Sequence, residues 1–214
     1  MKRLNLAMLL ILMTTTSLTV LGQQTPTQDD SDKNQPSGAT PNQPVKTSDG
    51  YVFPTKRERF DRFVSSTVGP RSFVRTAIAA GIQQWRDTPE DWEQGMSGYG
   101  KRFASSFGSN AIQQSVTYGF DSALGLDTGF QKSKRKGFFP RAKDAMLQNI
   151  TSRTKSGGRV ISIPRIAGAY AGGVVPTVTW YPERYSYKDG LRNGTYSLLT
   201  GFGLNLVREF VIKW

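Results

Sequence analysis

Between residues 130 and 143 the chain places Phe130, Lys132, Lys134, Arg135, Lys136, Phe138, Phe139, Arg141 and Lys143, with no acidic residue among them. Cations interleaved with aromatic rings suit an anionic surface. Each positive charge held near anionic lipid is worth about 1 kcal/mol, and rings favour the interfacial layer. The same residue types suit nucleic acid, and they also serve as a solvated loop whose phenylalanines cap a core. A second cluster, Asp87, Glu90, Asp91 and Glu93, offers paired carboxylates, the groups of glycoside hydrolysis. Helix capping accounts for most of that cluster. Thr88-Pro89-Glu90-Asp91 reads as a helix start, with Thr88 as N-cap, Pro89 at the first helical position and two acids in the first turn.

Other constellations carry less. Asp121 and Asp127 lie either side of Gly125 without the spacing of a calcium loop, and they read as helix-end and turn residues. Ser156-Gly157-Gly158-Arg159 offers backbone N–H groups beside a guanidinium, but lacks the Gly-Lys-Ser/Thr ending of a phosphate loop and reads as a turn. Ser133 with Lys136, and Ser152 with Lys155, have Ser-x-x-Lys spacing without the companion motifs of the β-lactamase-like enzymes.

The 214-residue chain has no Cys and no His. That excludes disulfides, thiol nucleophiles, thiolate zinc sites, imidazole acid–base chemistry and the Ser–His–Asp triad. No catalytic residue, metal site or cofactor is assigned. The protein reads as more an interaction partner than an enzyme, with a carboxylate-dependent hydrolase as a lesser alternative.

Lys2 and Arg3, the apolar run Leu6–Met13 and the small-residue exit Val20-Leu21-Gly22 make residues 1–22 read as a secretory signal peptide. Residues 23–50 are dominated by Pro, Gln, Asp, Ser and Thr. They hold too little apolar surface to offset ordering entropy and read as a disordered linker. The linker carries Asp29, Asp30, Asp32 and Asp49 against Lys33 and Lys46, which cancels Lys2 and Arg3, so the net charge of +12 belongs to residues 51–214. An exported chain has no occasion to meet nucleic acid, and none is expected as a partner. The mean hydropathy is −0.43, and no clean apolar span of membrane length follows the signal.

The elements that must position these residues read as helices, giving a mainly α, single basic helical domain over 51–214. Thr55…Glu58 forms a capping box, and a helix follows to about Ser66 with Phe60, Phe63 and Val64 on one side. Pro70 opens a second helix whose stripe is Phe73, Val74, Ala77, Ile78, Gly81, Ile82 and Trp85. Two helical pieces follow, 89–107 and 109–124, broken near Gly108-Ser109. A basic loop spans 125–140, then a helix over 140–153 with Ala142, Ala145, Met146 and Ile150 inward. A turn at Ser156-Gly157-Gly158 leads to a helix from Pro164 to Val175, and Val178–Tyr181 reads as extended. Gly168 and Gly172 form a GxxxG pair, and small-residue runs of this kind favour close helix packing. The segment 191–214 carries both periodicities. Leu191, Leu198, Phe202, Leu206 and Phe210 suit a helix, the reading adopted. The even-numbered apolar residues from Tyr196 to Trp214 also suit the closing strand of an outer-membrane barrel.

The residues GIQQWRDTPEDWEQGMSGYGKRFASSFG (81–108), SVTYGFDSALGLD (115–127), GFFPRAKDA (137–145), AGAYAGG (167–173), TWYPER (179–184) and LNLVREF (204–210) resemble an uncharacterised family of exported bacterial proteins. The resemblance implies a mainly helical domain behind a signal peptide and polar tether, and assigns no activity. Together these readings give an exported, non-enzymatic protein of the periplasm or outer membrane, associated with an anionic membrane or envelope polymer through 130–143. The alternative is outer-membrane insertion through the final segment.

Overall fold

The structure, a computed structural model, describes residues 51–211. Residues 1–22 and 23–50, read above as a signal peptide and a linker, and Ile212–Trp214 lie outside the described residues. Helix α1 (Lys56–Val68) starts at the expected capping box: Glu58 N–H donates to Thr55 Oγ1 at 3.2 Å, and Thr55 N–H donates to Glu58 Oε2 at 2.7 Å. Gly69 ends it, and Pro70 opens α2 (Pro70–Trp85). A single 3-10 turn (Glu90–Trp92) precedes the long helix α3 (Gly95–Leu124). Three short antiparallel strands follow in the order β1 (Leu126–Asp127), β2 (Thr151–Thr154) and β3 (Arg159–Ile161), with helix α4 (Phe138–Leu147) between β1 and β2. Leu126 pairs with Thr154, and Ser152 with Val160. Helices α5 (Ile163–Thr179) and α6 (Tyr187–Phe210) complete the domain.

Several expectations are corrected. No α-helix starts at Thr88. The Thr88–Pro89 peptide is cis, Pro89 is extended, and α3 begins at Gly95. The cause is Arg102, whose side chain is 0 % exposed. Its guanidinium donates to the carbonyl oxygens of Thr88 (3.1 Å), Pro89 (2.7 Å) and Glu93 (2.6 Å), to Gln84 Oε1 (2.6 Å) and to Asp87 Oδ1 (3.0 Å). Carbonyls turned toward one buried cation are unavailable to a helix ladder. Helix α3 does not break at Gly108. The Trp180 ring lies 3.3 Å from where a Cβ would stand there, and the indole N–H donates to Ser105 Oγ at 2.9 Å.

Helix α4 stops at Leu147, not 153, because β-branched and hydroxylated Thr151–Thr154 pairs instead with β3 across the Ser156–Gly158 turn. The segment Val178–Tyr181 is not extended. Helix α5 runs through Pro176 to Thr179, held between α3 and α6. There a Cβ on Gly172 would stand 2.9 Å from the Ser109 carbonyl oxygen, and one on Gly173 would stand 2.4 Å from that of Gly190. The final segment is helical from Tyr187 to Phe210, which overturns the membrane-strand alternative. Among the described residues, no helix is long and apolar enough to cross a membrane.

The largest correction concerns the core. Phe73, Val74, Ile78, Ile82 and Trp85, expected inward on α2, are exposed, Trp85 by 84 %. Ser72, Thr76 and Ala80 of the same helix are buried in their place. In α4 it is Asp144 and Ala145 that are buried, while Met146 and Leu147, and Ile150 just beyond the helix, are exposed. Helix α5 buries Gly168, Ala169, Gly172, Gly173 and Thr177, and α6 buries Gly190, Gly194, Asn205 and Glu209. Among the described residues the buried apolar side chains are Tyr51, Phe53, Ala80, Trp92, Leu126, Ala145 and Ala169, with Pro54, Pro89, Pro164 and Pro176, so Leu126 is the one buried side chain among Leu, Ile, Val and Met. Helices α2, α4 and α6 bury polar and small residues and expose large apolar ones, while on α3 Phe103, Phe107, Ile112 and Val116 are half-buried, as are the polar Ser106, Ser109, Asn110 and Gln113.

An interior of this kind depends on complete hydrogen bonding, because an orphaned buried polar group costs about 1–3 kcal/mol. Replacing Arg102 by Met would orphan the acceptors it holds. The expected loss is about 3–5 kcal/mol, read by urea unfolding, and a variant of unchanged stability would contradict this role for Arg102.

Candidate functional site

The loop between β1 and α4 is pinned at both ends. Glu209, whose side chain is fully buried, accepts from the Ser133 N–H at 3.0 Å and from Arg141 Nε at 2.8 Å. Gln131 and Gln148 exchange two bonds of 2.8 Å, Gln131 N–H to Gln148 Oε1 and Gln148 Nε2 to Gln131 O. Between these anchors Lys132, Lys134, Arg135 and Lys136 are exposed. Phe138 and Phe139 are 62 % and 82 % exposed, and Phe138 stacks on Phe210 with centroids 4.8 Å apart. Beside Phe139 lies an apolar hollow of about 420 Å³ lined by Ala142, Met146, Leu147, Ile150, Phe202 and the stem of Lys143. The exposed apolar face of α4 and the cations therefore form one continuous patch.

Two residues singled out with this loop are engaged in inward contacts. Arg141 is tied to Glu209, and its guanidinium lies over the Phe210 ring at 4.9 Å. Phe130 is half-buried and faces the interior, beneath the Arg208 guanidinium at 6.0 Å.

Three of the four acids of the cluster, Asp87, Glu90 and Asp91, are held in ion pairs, and Glu93 is exposed. Asp87 is held by Arg102. Arg184 pairs with Glu90 at 3.0 Å and with Asp91 at 2.9 Å. Asp127 accepts from Arg62 at 2.6 Å and from the Tyr51 hydroxyl at 2.7 Å, and burial, with this carboxylate adding to it, drives the Tyr51 hydroxyl well above the usual range. Arg159, beside the Ser-Gly-Gly turn, pairs with Asp144 at 2.7 Å. Buried Ser152 donates to Ser162 Oγ at 2.6 Å. Among the described residues no group of three or more acidic side chains is placed to hold a metal ion.

The inward polar faces enclose a cavity of about 610 Å³ between α2, α3, α5 and α6. Helix α3 lines it with Ser106, Ser109, Asn110, Gln113, Gln114 and Thr117, successive positions on one helical face. Arg75, Arg165 and Arg208 enter it from α2, α5 and α6. Arg75 donates to Asn110 Oδ1 and Arg165 to the Thr128 carbonyl. Sequence reading did not find these three, because single arginines on three distant helices give no local pattern.

Asp121, at the C-terminal end of α3, accepts from Thr128 Oγ1 at 2.5 Å through one carboxylate oxygen and leaves the other without a partner. Burial raises its carboxyl to about 6, and the neighbouring Asp127 adds to the rise.

No family model, no curated protein and no solved structure matches the chain.

Asp121 supplies a pH prediction. Its folded value lies above the ordinary 3.8. The penalty is therefore absent below about pH 4, grows between about 4 and 6, and is constant above that. Asp121→Asn should be more stable than the parent by about 1–3 kcal/mol at pH 7.5, with the difference shrinking toward pH 4. Urea unfolding at the two pH values reads it, and a pH-independent difference would contradict the assignment.

Proposed function

We propose that this is a non-enzymatic protein of the bacterial envelope, exported behind residues 1–22, tethered by 23–50 and bound to an anionic membrane surface through the loop and apolar face around α4. The small-residue helix faces close the domain that presents this patch. The single observation that carries the reading is the junction of Lys132, Arg135, Lys136 and Lys143 with Phe138, Phe139, Met146, Leu147 and Ile150, all exposed. Cations alone would suit any polyanion. Large apolar side chains next to them favour lipid, since a bilayer interface takes up rings and aliphatic chains at the depth where its headgroups meet lysine and arginine. Glu209 and the Gln131–Gln148 pair hold the loop in place, so little order has to be gained on binding.

Flotation with vesicles of phosphatidylglycerol and of phosphatidylcholine tests this. The full chain should float with the anionic vesicles and lose binding at high salt. Neutralising Lys132, Arg135 and Lys136 together should weaken binding on the order of 100-fold, and Phe139→Ser should weaken it further at constant charge. Equal binding to both vesicle types, or unchanged binding of the neutralised variant, contradicts the proposal. Capture by an anionic envelope polymer that ignores Phe139→Ser would replace lipid with polymer as the partner.

A further inference from the structure

The cavity between α2, α3, α5 and α6 has a charge composition that the surface reading leaves unused. Five arginines line it: Arg62, Arg75, Arg165, Arg192 and Arg208. Two are neutralised, Arg62 by Asp127 and Arg192 by Asp189 at 3.1 Å. Asp189 is the acidic residue among the lining groups, and it also accepts from the Ser186 N–H as a helix cap. Arg75, Arg165 and Arg208 make no ion pair among the described residues. Their partners are the Asn110 side-chain oxygen, the Thr128 carbonyl and the face of the Phe130 ring.

The three charges also oppose one another. Burial lowers the Arg165 guanidinium to about 10, with Asp121 opposing the fall and Arg208 adding to it. Arg208 is lowered by burial and then by Arg75 and Arg71. A fold that gathers unpaired cations around a hollow incurs both desolvation and like-charge repulsion. A bound anion relieves both at once, and guanidinium is the group that meets phosphate and carboxylate oxygens two at a time. The other walls combine apolar groups such as Ala79, Pro176 and Leu204 with the amides and hydroxyls of Gln113, Gln114, Ser109 and Asn193, which accept and donate without adding charge. A volume of about 610 Å³ suits a small organic molecule, within the usual range of about 300–1,000 Å³ for ligand sites.

We propose that this cavity is a binding site for a small polyanionic molecule whose phosphate or carboxylate oxygens are held by Arg75, Arg165 and Arg208. The site is separate from the surface patch and does not rest on membrane binding.

Calorimetric titration of the full chain with pyrophosphate, with citrate and with chloride at matched ionic strength tests it. Saturable binding of one equivalent of pyrophosphate or citrate, absent with chloride, is expected, and the tighter of the two identifies the oxygen donor. Arg208→Gln and Arg165→Gln should each weaken binding at least about tenfold, while Lys132→Gln with Lys136→Gln leaves it unchanged. Arg208→Gln should also melt no lower than the parent in the absence of ligand, because it removes a repelling charge, a result that a purely structural role would reverse. Should either Gln variant fail to fold by circular dichroism, Arg208→Lys keeps the charge, drops the planar fork and should still weaken pyrophosphate. Absence of binding to both polyanions overturns the proposal. So does binding that survives the cavity variants and is lost in the surface variant.

Discussion

Ser106, Ser109, Asn110, Gln113 and Thr117 lie along one face of α3, and that face points into the bundle. Burying such a face removes the ordinary hydrophobic driving force, which scales with apolar area withdrawn from water. Close approach and hydrogen bonding must replace it. The helices meet through glycines on α5 and α6 where a side chain would clash with the neighbouring backbone. Buried polar groups then find specific partners: Asn205 donates to the Ala145 carbonyl at 3.2 Å, Asn149 to that of Leu198 at 2.7 Å, and Trp180 to Ser105. Arg102, with five such bonds, fixes the turn that joins α2 to α3.

This inversion has two consequences for function. Apolar faces are displaced outward, which leaves Phe139, Met146, Leu147 and Ile150 beside the cations of the loop. Monomeric soluble proteins rarely present apolar surface of that kind without a partner for it. The interior, in turn, is polar enough to hold a cavity edged by arginines rather than a packed apolar core. Patch and cavity are thus two sides of one packing choice. Glu209 lies between them, fixing the loop from the buried side while its neighbour Arg208 faces the cavity.

Helix existence was legible where local signals act alone. The capping box at Thr55, Pro70 after Gly69, and the Ser156–Gly158 turn are satisfied by neighbours within a few residues, and each appears where its chemistry puts it. Thr88-Pro89 carried an equally good local signal and failed, because Arg102, fourteen residues on, claims the carbonyls of that turn. The direction of each face was not legible. Phe73, Val74, Ile78, Ile82 and Trp85 make an apolar stripe at helical spacing, and periodicity says that such a stripe shares one side without saying which side faces in. The basic loop was visible as composition, and its support by Glu209 was not, being a contact across 76 residues. The arginines of the cavity were equally hidden, since their convergence exists only in three dimensions.

The orientation of these faces is the claim on which the rest stands, and the absence of native cysteine makes it directly measurable. Single cysteines placed at Val74, Ile78 and Val207, and at Ser72, Ser105 and Thr177, can each be reacted with a water-soluble maleimide in the absence of lipid. Rapid labelling at the three apolar positions, with protection at the three small polar ones until denaturant is added, is the predicted result. Protection of the apolar positions with fast labelling of the polar ones would contradict the inverted packing, and with it the exposed patch and the arginine-lined cavity.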